Sequence, residues 1–185
     1  KLYRGIFNEW VSIVGLDLSD NNLSEIPVGS FDGLSNLKYL RLQNTGLGLM
    51  SSGLSEGSFR GLHLQYLDLT INNFKTFEIL TSAVTPIYTL QNLYVEGCDR
   101  CKFNNSWRNL TNLTSLDLSG YSPDKNSYKD CHITNLSSET FINVPYLRNL
   151  SLSDCGLEDI EPETFASLTH LEYLDISKNS LLNFT

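Results

Sequence analysis

Residues 13–23 read IVGLDLSDNNL, with apolar side chains at the first, fourth, sixth and eleventh positions and an asparagine at the ninth. The frame LxxLxLxxNxL recurs, complete or in part, at 37–47 (LKYLRLQNTGL), 64–74 (LQYLDLTINNF), 90–100 (LQNLYVEGCDR), 113–118 (LTSLDL), 147–157 (LRNLSLSDCGL) and 171–181 (LEYLDISKNSL). Start-to-start spacings are 24, 27, 26, 23, 34 and 24 residues. Self-similarity at such a period marks a solenoid, and seven frames in register leave no room for coincidence.

The centre of each frame predicts a short strand, in which successive side chains face opposite ways. Leu16 and Leu18, Leu40 and Leu42, and Leu67 and Leu69 point inward, while Asp17, Arg41 and Asp68 point out. One coil cannot bury its own apolar face, so neighbouring coils stack and share a core. Strands about 4.8 Å apart then form a parallel sheet roughly 29 Å across. The rear half of each repeat adds a second apolar row: Phe7, Phe31, Phe59, Trp107, Phe141 and Phe165 each stand three residues before Leu, Val or Trp.

The ninth position turns inward at the bend after the strand, where backbone polar groups leave the sheet and need partners. Asn21, Asn72 and Asn179 are expected to bond both N–H and C=O groups of the neighbouring coil, and Thr45 to do part of this. Cys98, Cys131 and Cys155 hold the same position in three successive repeats, where a buried thiol packs as a small hydrophobe with a weak donor. Cys101 falls outside that ladder, in the run Cys-Asp-Arg-Cys. No second Cys-x-x-Cys or spaced His pair follows to make a zinc site. A Cys101–Cys131 bridge is the preferred pairing. Cys98–Cys131 is its rival, because ladder positions in adjacent coils lie about one strand spacing apart.

The 34-residue step carries ten extra residues. Aligning Cys131 with the ninth position assigns them to 121–130, YSPDKNSYKD, whose Pro, Asn and Ser suit a projecting loop. The loop is either a plain surface insertion or, through Tyr121, Lys125 and Tyr128, a contact surface for a ligand or second subunit.

The 185 residues, 41% hydrophobic and 18% charged, suffice for one domain with a continuous core. Thirteen Lys/Arg against 21 Asp/Glu give a net charge of −8, so the basic footprint of a nucleic-acid binder is missing and no nucleic-acid partner is expected. No apolar run approaches the roughly 18 residues of a membrane span. Residues 1–12 fit the rear half of a repeat and 171–185 the front half of another. Neither end carries a cysteine-rich cap, so 1–185 is expected to be a fragment of an array that starts and ends mid-repeat. Enzymatic chemistry has no foothold. His63 and His170 share a repeat position four strand spacings apart, roughly 19 Å, too far to form one acid–base site. No cofactor is implied.

Asn-x-Ser/Thr occurs at Asn22, Asn104, Asn109, Asn112, Asn135, Asn149 and Asn183. With 18 Asn and 35 Ser/Thr, chance would give about three or four such triplets. The excess points to a secreted or lumenal chain carrying N-linked glycans at its surface.

These frames, irregular steps and sequons resemble an extracellular leucine-rich repeat array, and most of all a Toll-like receptor ectodomain. The resemblance implies an α/β solenoid: a horseshoe with a parallel β-sheet on its concave face, an irregular or 3-10 convex side, and a phenylalanine spine. It also implies innate immune recognition of a microbial or host-derived ligand by a receptor dimer, on the extracellular side of the cell surface or in the endosomal lumen, the whole protein being a single-pass membrane protein. Tyr39, Arg41, Tyr66, Tyr94, Arg148 and Tyr173 face outward on the concave strands and are the candidate contacts, tyrosine combining a large ring with a polar tip. A glycan on Asn149 would cover part of this face. Two other resemblances compete: a variable-lymphocyte-receptor-like antigen binder, disfavoured by the uneven spacing, and a leucine-rich adhesion or matrix protein.

Overall fold

The structure, a computed structural model, describes residues 1–49, 52–74, 77–95, 107–120, 133 and 136–182. The insertion 121–130 and residues 98, 101 and 131 lie outside the described residues, and with them both disulfide pairings and the contacts expected of Tyr121, Lys125 and Tyr128.

Each LxL centre forms a three-residue strand: β1 (Gly15–Asp17), β2 (Tyr39–Arg41), β3 (Tyr66–Asp68), β4 (Asn92–Tyr94), β5 (Ser115–Asp117), β6 (Asn149–Ser151) and β7 (Tyr173–Asp175). They pair in parallel, in chain order, as one seven-stranded sheet. The register aligns Leu16, Leu40, Leu67, Leu93, Leu116, Leu150 and Leu174 in a single row. This is the leucine-rich solenoid that the repeat frame predicts. A short strand suffices because the chain needs only two or three ladder bonds per coil before it turns. Lys38 and Tyr39 N–H both donate to Val14 O, and Leu42 N–H crosses to Asp68 O.

The core is the stack of inward rows. Leu40, Leu67, Leu93, Leu116 and Leu150 are almost wholly buried, as are Leu42, Leu69, Val95, Leu118 and Leu152 one step further along each coil. Complete burial of one leucine stabilises by about 1.5–3 kcal/mol, and every such side chain is covered by the coils before and after it. On the convex side Phe7 stacks on Phe31 at 6.1 Å and Phe31 on Phe59 at 6.2 Å, and Phe141 stacks on Phe165 at 6.0 Å. Trp107 is fully buried.

One coil departs from the irregular or 3-10 convex side. After β3 the chain forms an α-helix, α1 (Phe77–Val84). The segment FEILTSAV contains neither Gly nor Pro. Its apolar residues at 80, 83 and 84 follow helical spacing and are buried. Pro86 then ends it, because the residue before a proline avoids the helical region. Among the described residues no helix is long and apolar enough to cross a membrane.

Candidate interaction surface on the concave sheet

Polar side chains between the coils hold the strands in place. Asn72 is wholly buried. Its Nδ2 donates to Leu42 O of the preceding coil at 2.7 Å and to Leu69 O of its own at 2.9 Å. Its Oδ1 accepts from Thr45 N–H at 3.0 Å, Leu47 N–H at 3.1 Å and the Thr45 hydroxyl at 2.9 Å. Asn179 repeats the arrangement, donating to Leu152 O and accepting from Cys155 and Leu157 N–H. Cys155 takes the asparagine's place: its buried Sγ donates to Leu118 O of the preceding coil at 3.2 Å. The Thr45 hydroxyl donates to Leu42 O of its own coil and to the Asn72 amide oxygen of the next. Asn21 differs from the expectation. It is exposed, and its Nδ2 reaches only its own Leu18 and Ser19 carbonyls, because β1 is the first strand of the sheet and no earlier strand lies within reach.

On this scaffold Tyr39, Arg41, Tyr66 and Tyr94 come together. Tyr39 and Tyr66 are direct register partners with ring centroids 6.3 Å apart, and Tyr66 and Tyr94 lie diagonally at 5.2 Å. All three rings are tilted, the arrangement that aromatic quadrupoles favour. The Arg41 guanidinium lies 5.7 Å from the Tyr66 centroid, a cation–π contact, and 3.8 Å from Asp17 Oδ2. With Gly15, Leu16 and Asp17, the side chains of Tyr39, Arg41 and Tyr66 line an open groove of about 410 Å³. Gly15 leaves that groove its depth, since a Cβ there would stand 3.9 Å from the Tyr39 Cβ.

Burial pushes the Tyr66 hydroxyl above its ordinary pKa, and Asp68 adds to the rise while Arg41 opposes it. The nearby Ser19 hydroxyl and the hydrogen bond from Ser19 N–H at 2.9 Å hold the Asp17 carboxyl below its usual range, with Arg41 contributing. The same local turn recurs: Asp68, Asp117 and Asp175 Oδ1 accept from the N–H of Thr70, Ser119 and Ser177 at 2.9–3.0 Å. The row of outward aspartates therefore caps the strand ends, an Asx turn repeated in coil after coil.

The other two candidate contacts stand apart. Arg148 pairs with Glu172, and Tyr173 on β7 is three strands from Tyr94 on β4, roughly 14 Å at the usual spacing. Asn149 lies between Ser115 and Tyr173 in register and is exposed. Of the other sequons, Asn22, Asn109 and Asn112 are exposed, and Asn104, Asn135 and Asn183 lie outside the described residues.

Two sets of structural residues escape the repeat frame. A Ser or Thr precedes the convex aromatic at 30, 58, 140 and 164, and all four are buried. Ser58 donates to Ile26 O and Thr164 to Leu136 O of the preceding coil. The recurrent Ser/Thr-Phe pair was the available sign. Asn36 and Asn112 donate to Val11 O and Tyr88 O, each just before the first leucine of its frame, and His170 Nδ1 meets Pro145 O at the same position. His63 packs edge-on against Tyr88 and His170 against Tyr146, so the two histidines serve separate coils. Among the described residues no three His, Cys, Asp or Glu side chains are grouped to hold a metal ion.

The sequence and the fold have relatives. The model of the leucine rich repeat family matches residues 1–47, 12–74 and 129–181. Toll-like receptor 4 of Pinctada imbricata is 34% identical over 163 residues, 88% of this chain and 17% of that protein. Podocan of Mus musculus is 48% identical over 59 residues, 31% of this chain and 9% of that protein. The chain thus spans less than a fifth of the length of these relatives. Human 5T4, also called trophoblast glycoprotein or Wnt-activated inhibitory factor 1, superposes with a TM-score of 0.66 over 90% of this chain and 61% of that one, at 24% identity. Its likeness is one of fold. The family match, the inward leucine row and the ladder at Asn72 coincide: this chain belongs to the leucine-rich repeat family.

Proposed function

We propose that the chain is a ligand-binding part of a Toll-like innate immune receptor ectodomain. It is non-catalytic and signals by bringing two ectodomains together around a microbial or host-derived ligand. One observation carries the reading: the likeness to the Pinctada Toll-like receptor 4 extends over 163 residues. That is more than two or three interchangeable coils could provide. The podocan likeness, by contrast, spans 59 residues, about the length any two or three such repeats share. The tyrosines at 39, 66 and 94 with Arg41 supply the contact surface, rich in the residue types that dominate interface energetics. Arg148, Tyr173 and the 121–130 insertion are secondary contacts. The setting is the cell surface or the endosomal lumen.

The full-length transcript tests this reading. A membrane-spanning helix followed by a cytoplasmic Toll/interleukin-1 receptor domain is the expected outcome. A transcript with neither favours the second reading, a leucine-rich adhesion or matrix protein, for which the podocan identity speaks.

A further inference from the structure

We infer that Asn149 carries an N-linked oligosaccharide that closes the β6–β7 end of the concave sheet and leaves the tyrosine cluster over β1–β4 as its open surface. The inference rests on the extracellular reading above and adds to it a division of the face.

The acceptor is Asn149-Leu150-Ser151, which is all of β6. Strand alternation sends Leu150 into the core and Asn149 out, and the Asn149 side chain is exposed. A glycan there displaces no packed group. The reaction requires a polyprenyl-diphosphate-linked oligosaccharide as donor. Asn149 Nδ2 forms a bond to the anomeric carbon of the reducing-end sugar and loses one proton, and the bond from that carbon to the lipid diphosphate breaks. In the folded sheet the Ser151 hydroxyl is engaged with Ser119 Oγ at 2.6 Å. Transfer therefore precedes the pairing of β5 with β6, while the sequon hydroxyl is still available to the acceptor amide. The other described sequons lie elsewhere: Asn22, Asn109 and Asn112 are all outside the strands.

Position turns this modification into a boundary. Register partners flank Asn149 on both sides, Ser115 and Tyr173, each one strand spacing or about 4.8 Å away. A bulky, hydrated glycan at that point stands over β5, β6 and β7 and hides Tyr173. Tyr66 on β3 is three spacings away, roughly 14 Å, and Tyr39 on β2 four, roughly 19 Å. Both remain open. A partner that uses the concave sheet is directed to the groove between Asp17, Arg41 and Tyr66.

The test is made on the protein expressed at its full natural length through a eukaryotic secretory pathway. Glycopeptide mass spectrometry reads occupancy at Asn149, at Asn22 and at the other five sequons. Hydroxyl-radical footprinting then reads Tyr173 and Tyr39, before and after a glycan-removing amidase acts on the folded protein, and in Asn149→Gln. The expected result is an occupied Asn149, Tyr173 labelling that rises several-fold on glycan loss by either route, and Tyr39 labelling that does not change. A bare Asn149 beside an occupied Asn22 overturns this inference and leaves the extracellular reading standing. Bare asparagines at all seven sequons overturn both. An occupied Asn149 whose removal leaves Tyr173 labelling unchanged overturns the shielding.

Discussion

Leu67 and Leu174 occupy the same row of one sheet, the first on the third strand and the second on the last. Leu67 is fully buried and Leu174 is 36% exposed. Both lie at the centre of the tripeptide Tyr-Leu-Asp, so the local sequence does not make the difference. Leu67 has a coil on either side and Leu174 has one described neighbour, β6. Burial in this molecule is thus a property of stacking. A coil owes its stability to its neighbours, and its own sequence supplies only the side chain to be covered.

Substitutions that set inner coils against outer ones test this contrast. Leu67→Ala leaves a cavity with coils packed on both faces and is expected to cost about 4 kcal/mol, whereas Leu174→Ala is expected to cost about 1 kcal/mol. Denaturant unfolding followed by circular dichroism measures both, and equal losses would break the comparison. The asparagine ladder sharpens it. Asn72→Ala strands the N–H groups of Thr45 and Leu47 and leaves the Leu42 carbonyl with the Thr45 hydroxyl alone. Buried groups left without partners put the loss at about 3 kcal/mol. Asn21→Ala, at an exposed position serving only its own coil, is expected to stay within about 1 kcal/mol.

Electrostatics of the concave groove give smaller effects. Arg41 opposes the upward push that burial exerts on Tyr66. Arg41→Ala should therefore raise the Tyr66 pKa further, seen as a later phenolate transition in ultraviolet titration. A transition that moves earlier would place the guanidinium away from that ring. The smallest effect concerns acid. The Asp17 carboxyl lies below the ordinary carboxylate range in the folded chain. A lowered folded pKa gives stability that is present above the unfolded value and is lost as pH falls through the folded one. Asp17→Asn should flatten the loss of stability below about pH 4, slightly, because the group is exposed and solvent screens it. Thermal melts of the two proteins between neutral pH and pH 3 would measure it.

Most of the fold can be read from the spacing of leucines, because the period fixes the coil and strand alternation fixes which leucine goes in. The α1 helix escapes that reading: the LxxLxL frame describes only the strand half of a coil, and helical periodicity at 80, 83 and 84 must be sought separately. The surface is legible by halves. Register brings Tyr39 beside Tyr66, so the pairing of those tyrosines follows from the frame. The guanidinium of Arg41 over the Tyr66 ring depends on a rotamer and on the tether to Asp17, which no pattern encodes. The aspartates teach the opposite lesson. Asp17 and Asp68 read from sequence as outward side chains, yet each spends an oxygen on the N–H two residues ahead. Asn21 shows that a frame position predicts a ladder bond only where a neighbouring coil exists to receive it.

Each strand of this sheet is hydrogen-bonded only to the strands before and after it in the chain. In such a nearest-neighbour chain of units, a coil added or lost disturbs only the strands that flank it. A change of length beyond β5 would leave the tyrosines of β2, β3 and β4 in their register, so an array of this kind can be lengthened or shortened without redrawing that surface.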